Sequence, residues 1–170
     1  PPPAPRPPSC TRPLYAQAVS DLAQAYSDAV YRFTWRGRAI TLRFGRAHGE
    51  SAPEPLLVLP AGDWAIITAC NPGHERLSET ENAERNRRLR TLVESAGLPH
   101  APSEAFDEVG DHREPGLFIT GLPREDVLAL ARAFDQHAVV FGQGPVCGLL
   151  LTSPERWDVL PVRLSVERPA

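Results

Sequence analysis

The sequence predicts an α+β fold: a ferredoxin-like β-α-β-β-α-β core with an N-terminal helix and a β-hairpin added. Three observations carry this reading. Over residues 64–142, short apolar runs alternate with two helical patterns in the order of a split βαβ unit. Ser78 and Glu81 form a Ser-x-x-Glu capping box that opens the first of those helices. Residues 30–44 alternate apolar and polar on both sides of a tight Gly-containing turn, as a hairpin does.

Residues 1–12 are rich in Pro and read as a disordered, polyproline II-like tail, with 13–168 as a single domain. From Pro13 to about Ala29, Leu14, Ala18, Leu22 and Ala25 make a helical stripe, extended by Tyr26. The hairpin strands Tyr31–Trp35 and Arg38–Phe44 are expected to turn at Arg36-Gly37. Pro55–Pro60 is a short apolar run that fits a strand or a single helical turn.

Trp64–Cys70 reads as a buried strand, broken at Asn71-Pro72-Gly73-His74. The helix from Ser78 to about Ala96 carries Asn82, Asn86, Leu89 and Val93 on one stripe at 3.6 residues per turn. That stripe is apolar towards its C-terminal end and amide-polar towards its N-terminal end. Residues 100–109 are a weaker strand, and Gly116–Gly121 a second buried strand. Val127, Leu130, Ala131 and Phe134 mark a helix that starts at Pro123. Strands follow at 138–142, 146–151 and 160–166. The unbroken apolar runs at 65–70 and 116–121 point to burial on both faces, with those two strands expected to be adjacent and parallel. Two helices cover one face only, so the N-terminal helix or hairpin is needed on the other face or as added strands.

This topology brings the polar breaks to one rim. The first strand ends there at Asn71, the first helix starts there with Ser78, Asn82 and Arg85, and the turn before Glu114 lies there with His112. The last core strand begins there, after Gln136 and His137. Asn71, Ser78, Asn82, Arg85 and Gln136 are therefore the candidate ligand-binding residues. Each has a plainer role as well. Asn71-Pro72 can simply turn the chain, Ser78 and Glu81 can simply cap, and Asn82 and Asn86 can satisfy strand-end backbone. Arg85 stands near the positive end of its helix, where guanidinium and free N–H groups together suit a carboxylate or phosphate; an ion pair with Glu81 or Glu114 is the alternative. His112 and Glu114 are the general acid/base candidates of the rim, set against a solvated turn.

Ile67-Thr-Ala-x-Asn71-Pro72 followed by Ser78-x-x-Glu81-Asn82 resembles the signature of a bacterial family, domain of unknown function 3293. That family also carries an acidic-Pro pair like Glu114-Pro115 before an aliphatic strand ending in Gly. Its later Phe-Gly-Gln-x-Ala is similar to Phe134-Asp135-Gln136-His137-Ala138. Two positions depart: Asp135 stands where the pattern has Gly, and His112 where it has an aromatic residue. The resemblance spans about residues 30–150 and implies a shared fold and rim rather than a reaction.

Composition narrows the function classes. A net charge of −3 gives no reason for general nucleic-acid binding. The one counter-signal is Arg32, Arg36, Arg38 and Arg43 interleaved with Tyr31, Phe33 and Trp35 on the hairpin. No run approaches the roughly 20 apolar residues that span a membrane, so no membrane association is expected. The three Cys, at 10, 70 and 147, are too far apart for a zinc pattern, and His74, His112 and His137 match no metal spacing, so no metal or cofactor is expected. A reduced cytoplasmic protein is the simplest reading, and Arg without any Lys fits a GC-rich bacterial genome. No nucleophile elbow, P-loop or dinucleotide fingerprint is present, so the sequence decides no enzyme class. The leading expectation is a small anionic ligand bound or acted on at the rim. A protein-interaction module with exposed sheet edges is the alternative.

Overall fold

The computed structural model describes residues 24–45, 58–73, 75–108 and 112–167. The proline-rich tail, most of the expected N-terminal helix and most of the 55–60 run lie outside the described residues. Residues 24–28 are helical, and no strand occupies 58–60.

Nine strands form one sheet: β1 Val30–Trp35, β2 Arg38–Phe44, β3 Asp63–Thr68, β4 His100–Phe106, β5 Arg113–Thr120, β6 Ala138–Gln143, β7 Val146–Thr152, β8 Glu155–Val159 and β9 Val162–Val166. With the helical residues 24–28, the helices α1 Glu79–Ser95 and α2 Arg124–Ala133 give the described residues an α+β architecture. Across the sheet the order is β8-β7-β6-β3-β5-β4-β1-β2-β9.

The hairpin forms as its alternation predicts. Trp35 pairs with Arg38 across a turn whose central residues, Arg36 and Gly37, both have positive φ (49° and 73°), the twist that suits a two-residue hairpin. Its aromatic alternation faces the core. Tyr31 and Phe33 are buried, and Trp35 packs edge-on against Phe118, so these rings do not form an exposed stacking platform.

The expected parallel pairing is corrected. β3 and β5 are adjacent but antiparallel, with Trp64 opposite Thr120 and Thr68 opposite Gly116. The reason is local connectivity. α1 returns the chain so that β3 and β4 run the same way, and β5 folds back on β4 as a hairpin, Phe106 opposite Arg113. β5 therefore enters the gap beside β3 in the reverse direction; a parallel neighbour would need a crossover. Every other pairing is antiparallel as well. β8 is a strand that the sequence reading lacks. Its Glu-Arg-Trp-Asp-Val has one buried-type residue among charges, yet it pairs with β7 from Thr152–Glu155 to Gly148–Val159.

Both faces of the central strands are buried, which explains their unbroken apolar runs. On the outer face, Ala65 and Ile67 of β3 and Ala69 just beyond it meet Leu89 and Val93 of α1 and Val127, Leu128 and Ala131 of α2. On the other face the sheet curls on itself. Tyr31, Phe33, Leu42 and Leu164 from one end of the strand order share a cluster with Trp64, Val140, Leu149 and Leu151 from the other. Leu160-Pro161 joins the two edge strands at a corner, where Leu160 N–H donates to Cys147 O (3.1 Å) and Gly45 N–H to Pro161 O (2.8 Å).

Candidate functional site

The inside of the curl is filled at one end and hollow at the other. At the filled end Phe33 and Phe118 stack at 4.3 Å, with Trp64 5.8 Å from Phe118. Trp64 is fully buried and its indole N–H donates to Gly144 O at 2.9 Å. Gly142 makes room for it: a Cβ there would lie 2.2 Å from the indole ring.

Towards the rim the inward residues become small. Thr68, Gly116, Ser103 and Phe33 stand opposite one another in one row across β3, β5, β4 and β1; Glu114, Ala105 and Tyr31 form the next row outward. Paired residues share a face, so Ser103, Gly116, Ala105 and Glu114 all look into the curl. Gly116 cannot carry a side chain, because its Cβ would meet Ile67 O at 2.5 Å and Ser103 Oγ at 3.2 Å. The result is a cavity of about 910 Å³ with Tyr31, Ile66, Val140 and Ala138 in its walls and Asn71, His112, Glu114 and Gln136 at its mouth. That volume lies in the range of small-molecule sites.

The mouth is built from the end of β3 outward. Beyond Thr68 the strand loses its ladder partners, and α1 supplies replacements. Asn86 Oδ1 accepts from Ala69 N–H (3.0 Å), and Asn82 Oδ1 from Asn71 N–H (2.8 Å). Arg85 donates through Nε to Ala69 O (2.7 Å) and through Nη2 to Phe134 O (2.6 Å). Gln136 donates to Cys70 O (2.9 Å) and Phe134 O (3.2 Å). The polar half of the α1 stripe thus satisfies backbone that would otherwise be buried without partners. Ser78 and Glu81 form the capping box in full, and their bonds hold Glu81 below its usual carboxylate range.

One side chain of this group turns into the cavity mouth. Asn71, held in the left-handed region at φ 47°, accepts from Leu77 N–H (3.2 Å) and Asn82 Nδ2 (3.0 Å) through Oδ1. Its Nδ2 donates to Glu114 Oε1 at 2.7 Å. His112 Nε2 lies 3.0 Å from the same Oε1. Glu114 is 20% exposed and His112 46% exposed, so the carboxylate sits behind the imidazole.

Of the residues singled out from the sequence, Asn71, Glu114, His112 and Gln136 meet at the mouth. Asn82 and Arg85 lie behind it, and Ser78 caps α1. Sequence reasoning missed Ser103, Ala105, Gly116, Tyr26 and Tyr31. A small-residue alternation in 103–105 was the one signal, too weak to read alone. Burial pushes the Tyr26 phenol up to about 12, with the Glu114 charge adding to it. Burial likewise raises the Cys70 thiol, so Cys70 stays protonated although Asn86 donates to its sulfur at 3.0 Å. No His/Cys/Asp/Glu group suited to a metal occurs among the described residues, and no described helix is long and apolar enough to cross a membrane.

Comparison with protein families matches residues 67–139 to DUF3293, described as a protein of unknown function. This segment belongs to DUF3293. It runs from β3 to β6 and includes all the mouth residues. The DUF3293 pattern accounts for Asp135: where the resemblance expects Gly, Asp135 has φ 54°. It ends α2 in a Schellman motif, with Gln136 N–H donating to Ala131 O and Asp135 N–H to Arg132 O. No curated protein and no solved structure matches the chain.

Proposed function

We propose that this protein binds a small organic molecule inside the curled sheet, admitted past Asn71, His112 and Glu114. The cavity itself carries the reading: about 910 Å³ with Tyr31, Phe44 and Phe106 in its lining and a polar mouth. Ser103 adds support. It is 7% exposed, lines the cavity, and its Oγ has no hydrogen-bond partner, and buried hydroxyls are seldom left so. β3-α1-β4-β5-α2-β6 is read as a ferredoxin-like unit forming one wall and the mouth. The local order β6-β3-β5-β4 and the packing of both helices on one face favour that reading.

The ligand need not be an anion. Arg85, the expected anion contact, directs Nε and Nη2 to the Ala69 and Phe134 carbonyls and does not line the cavity. The inward strand residues lining the cavity include one charge, and it is the Glu114 carboxylate. A thermal-shift screen of small aromatic and aliphatic compounds tests the proposal. At least one compound is expected to raise the Tm of the parent but not of Ala105→Leu, which narrows the cavity. A screen that stabilises neither protein, or both equally, overturns it.

A further inference from the structure

Resting on that binding reading, we infer that the ligand is a small arylalkyl amine, its protonated nitrogen held by Glu114 and its distal polar group by Ser103. Three observations converge. The first is the state of Glu114. Its Oε1 takes the bonds from Asn71 and His112, so Oε2 accepts none of the bonds that fix the side chain. Among the described residues no arginine pairs with it; its ion-pair partner is His112, 3.0 Å away. A carboxylate four-fifths covered and lacking a permanent countercharge favours a cation that brings its own donors. Tyr26 and Tyr31 line the same cavity.

The second observation is depth. Ser103 and Gly116 lie one inward row beyond Ala105 and Glu114, two residues further along their strands. Two residues of an antiparallel strand span about 7 Å, roughly the width of one substituted aromatic ring. The unpartnered Ser103 hydroxyl thus stands where the far end of such a molecule would arrive. The third is the wall: Tyr31 and Phe44, edge-on to one another at 5.9 Å, line the cavity and give a flat ring aromatic neighbours to pack against. Three arginines border the cavity. Arg43 and Arg163 stand opposite each other on the outward alternation of β2 and β9, Arg43 faces Glu108 at 3.8 Å, and Arg76 is exposed.

The test is titration calorimetry at neutral pH with three phenols of one body: 4-(2-aminoethyl)phenol, 4-ethylphenol and 3-(4-hydroxyphenyl)propanoate. The amine is expected to bind the parent about tenfold more tightly than the neutral phenol, the scale of one charge-assisted bond, with the carboxylate weakest. In Glu114→Gln the amine-to-neutral ratio should fall to about one, and in Ser103→Ala all three should weaken together. A neutral phenol that binds the parent as tightly as the amine overturns the amine assignment and leaves the cavity reading intact. Failure of all three to bind overturns the amine assignment, while the wider thermal-shift screen decides the cavity reading. The parent series decides the matter even if a variant does not fold.

Discussion

Asn71 at the mouth and Asp135 at the end of α2 adopt the left-handed backbone that glycine favours, for different reasons. At Asn71 (φ 47°) the side chain repays the strain through bonds to Leu77, Asn82 and Glu114. Asn tolerates this region better than most residues. Asp135 (φ 54°) has no such return: its carboxylate is 70% exposed and 3.9 Å from Arg85, a pair worth little in water. Asp135→Gly is therefore expected to stabilise the protein by about 0.5–1 kcal/mol, read from urea unfolding. Asn71-Pro72 was legible as a turn, because Asn and Pro carry that preference locally. That the Asn71 amide reaches Glu114, 43 residues on, was not legible, since it depends on where β5 lies.

At the scale of elements, α1 was the most readable part of the chain. Its start, its stop and its inward stripe all follow from a capping box and a 3.6-residue period. The stripe left one question open, whether Asn82 and Asn86 face a ligand or the backbone, and geometry answers it: they complete the end of β3. Asn82→Ala would leave the Asn71 N–H without its acceptor and free the Asn71 side chain. A loss of about 1–3 kcal/mol in urea unfolding is expected, together with weaker binding at the mouth. The direction of β5 was misread because the apolar runs report burial, not polarity of pairing. β8 was missed because a strand at the edge of a sheet buries little, so charges interrupt its alternation.

For the whole molecule, the two-sided burial was legible and the curl was not. A cavity arises from where small residues fall across neighbouring strands, as Gly116, Ser103 and Ala105 do, and single-strand patterns do not report register. The buried titrating groups give the fold a sign of pH dependence. Burial raises the Cys147 thiol from 9.0 to about 12, and burial with the Glu114 charge raises the Tyr26 phenol from 10.0 to about 12. Both stay protonated in the fold while the unfolded chain ionises. The stability they contribute is present below about pH 9 and lost as pH rises through 12. The urea midpoint should fall across that window, and Tyr26→Phe should flatten the part between pH 10 and 12.

The corner at Leu160-Pro161 has a consequence for synthesis. β9 pairs with β2, Leu164 opposite Leu42, so the last described strand of the chain completes the neighbourhood of nearly the first. Contacts of such separation form late and slow the overall search. A nascent chain that has not yet released residues 162–166 holds β2 as a bare hydrogen-bonding edge, backed by Ile40, Leu42 and Phe44. An edge of that kind is a template for pairing between chains. A window of aggregation risk therefore falls just before β9 leaves the ribosome, and it closes when that strand docks.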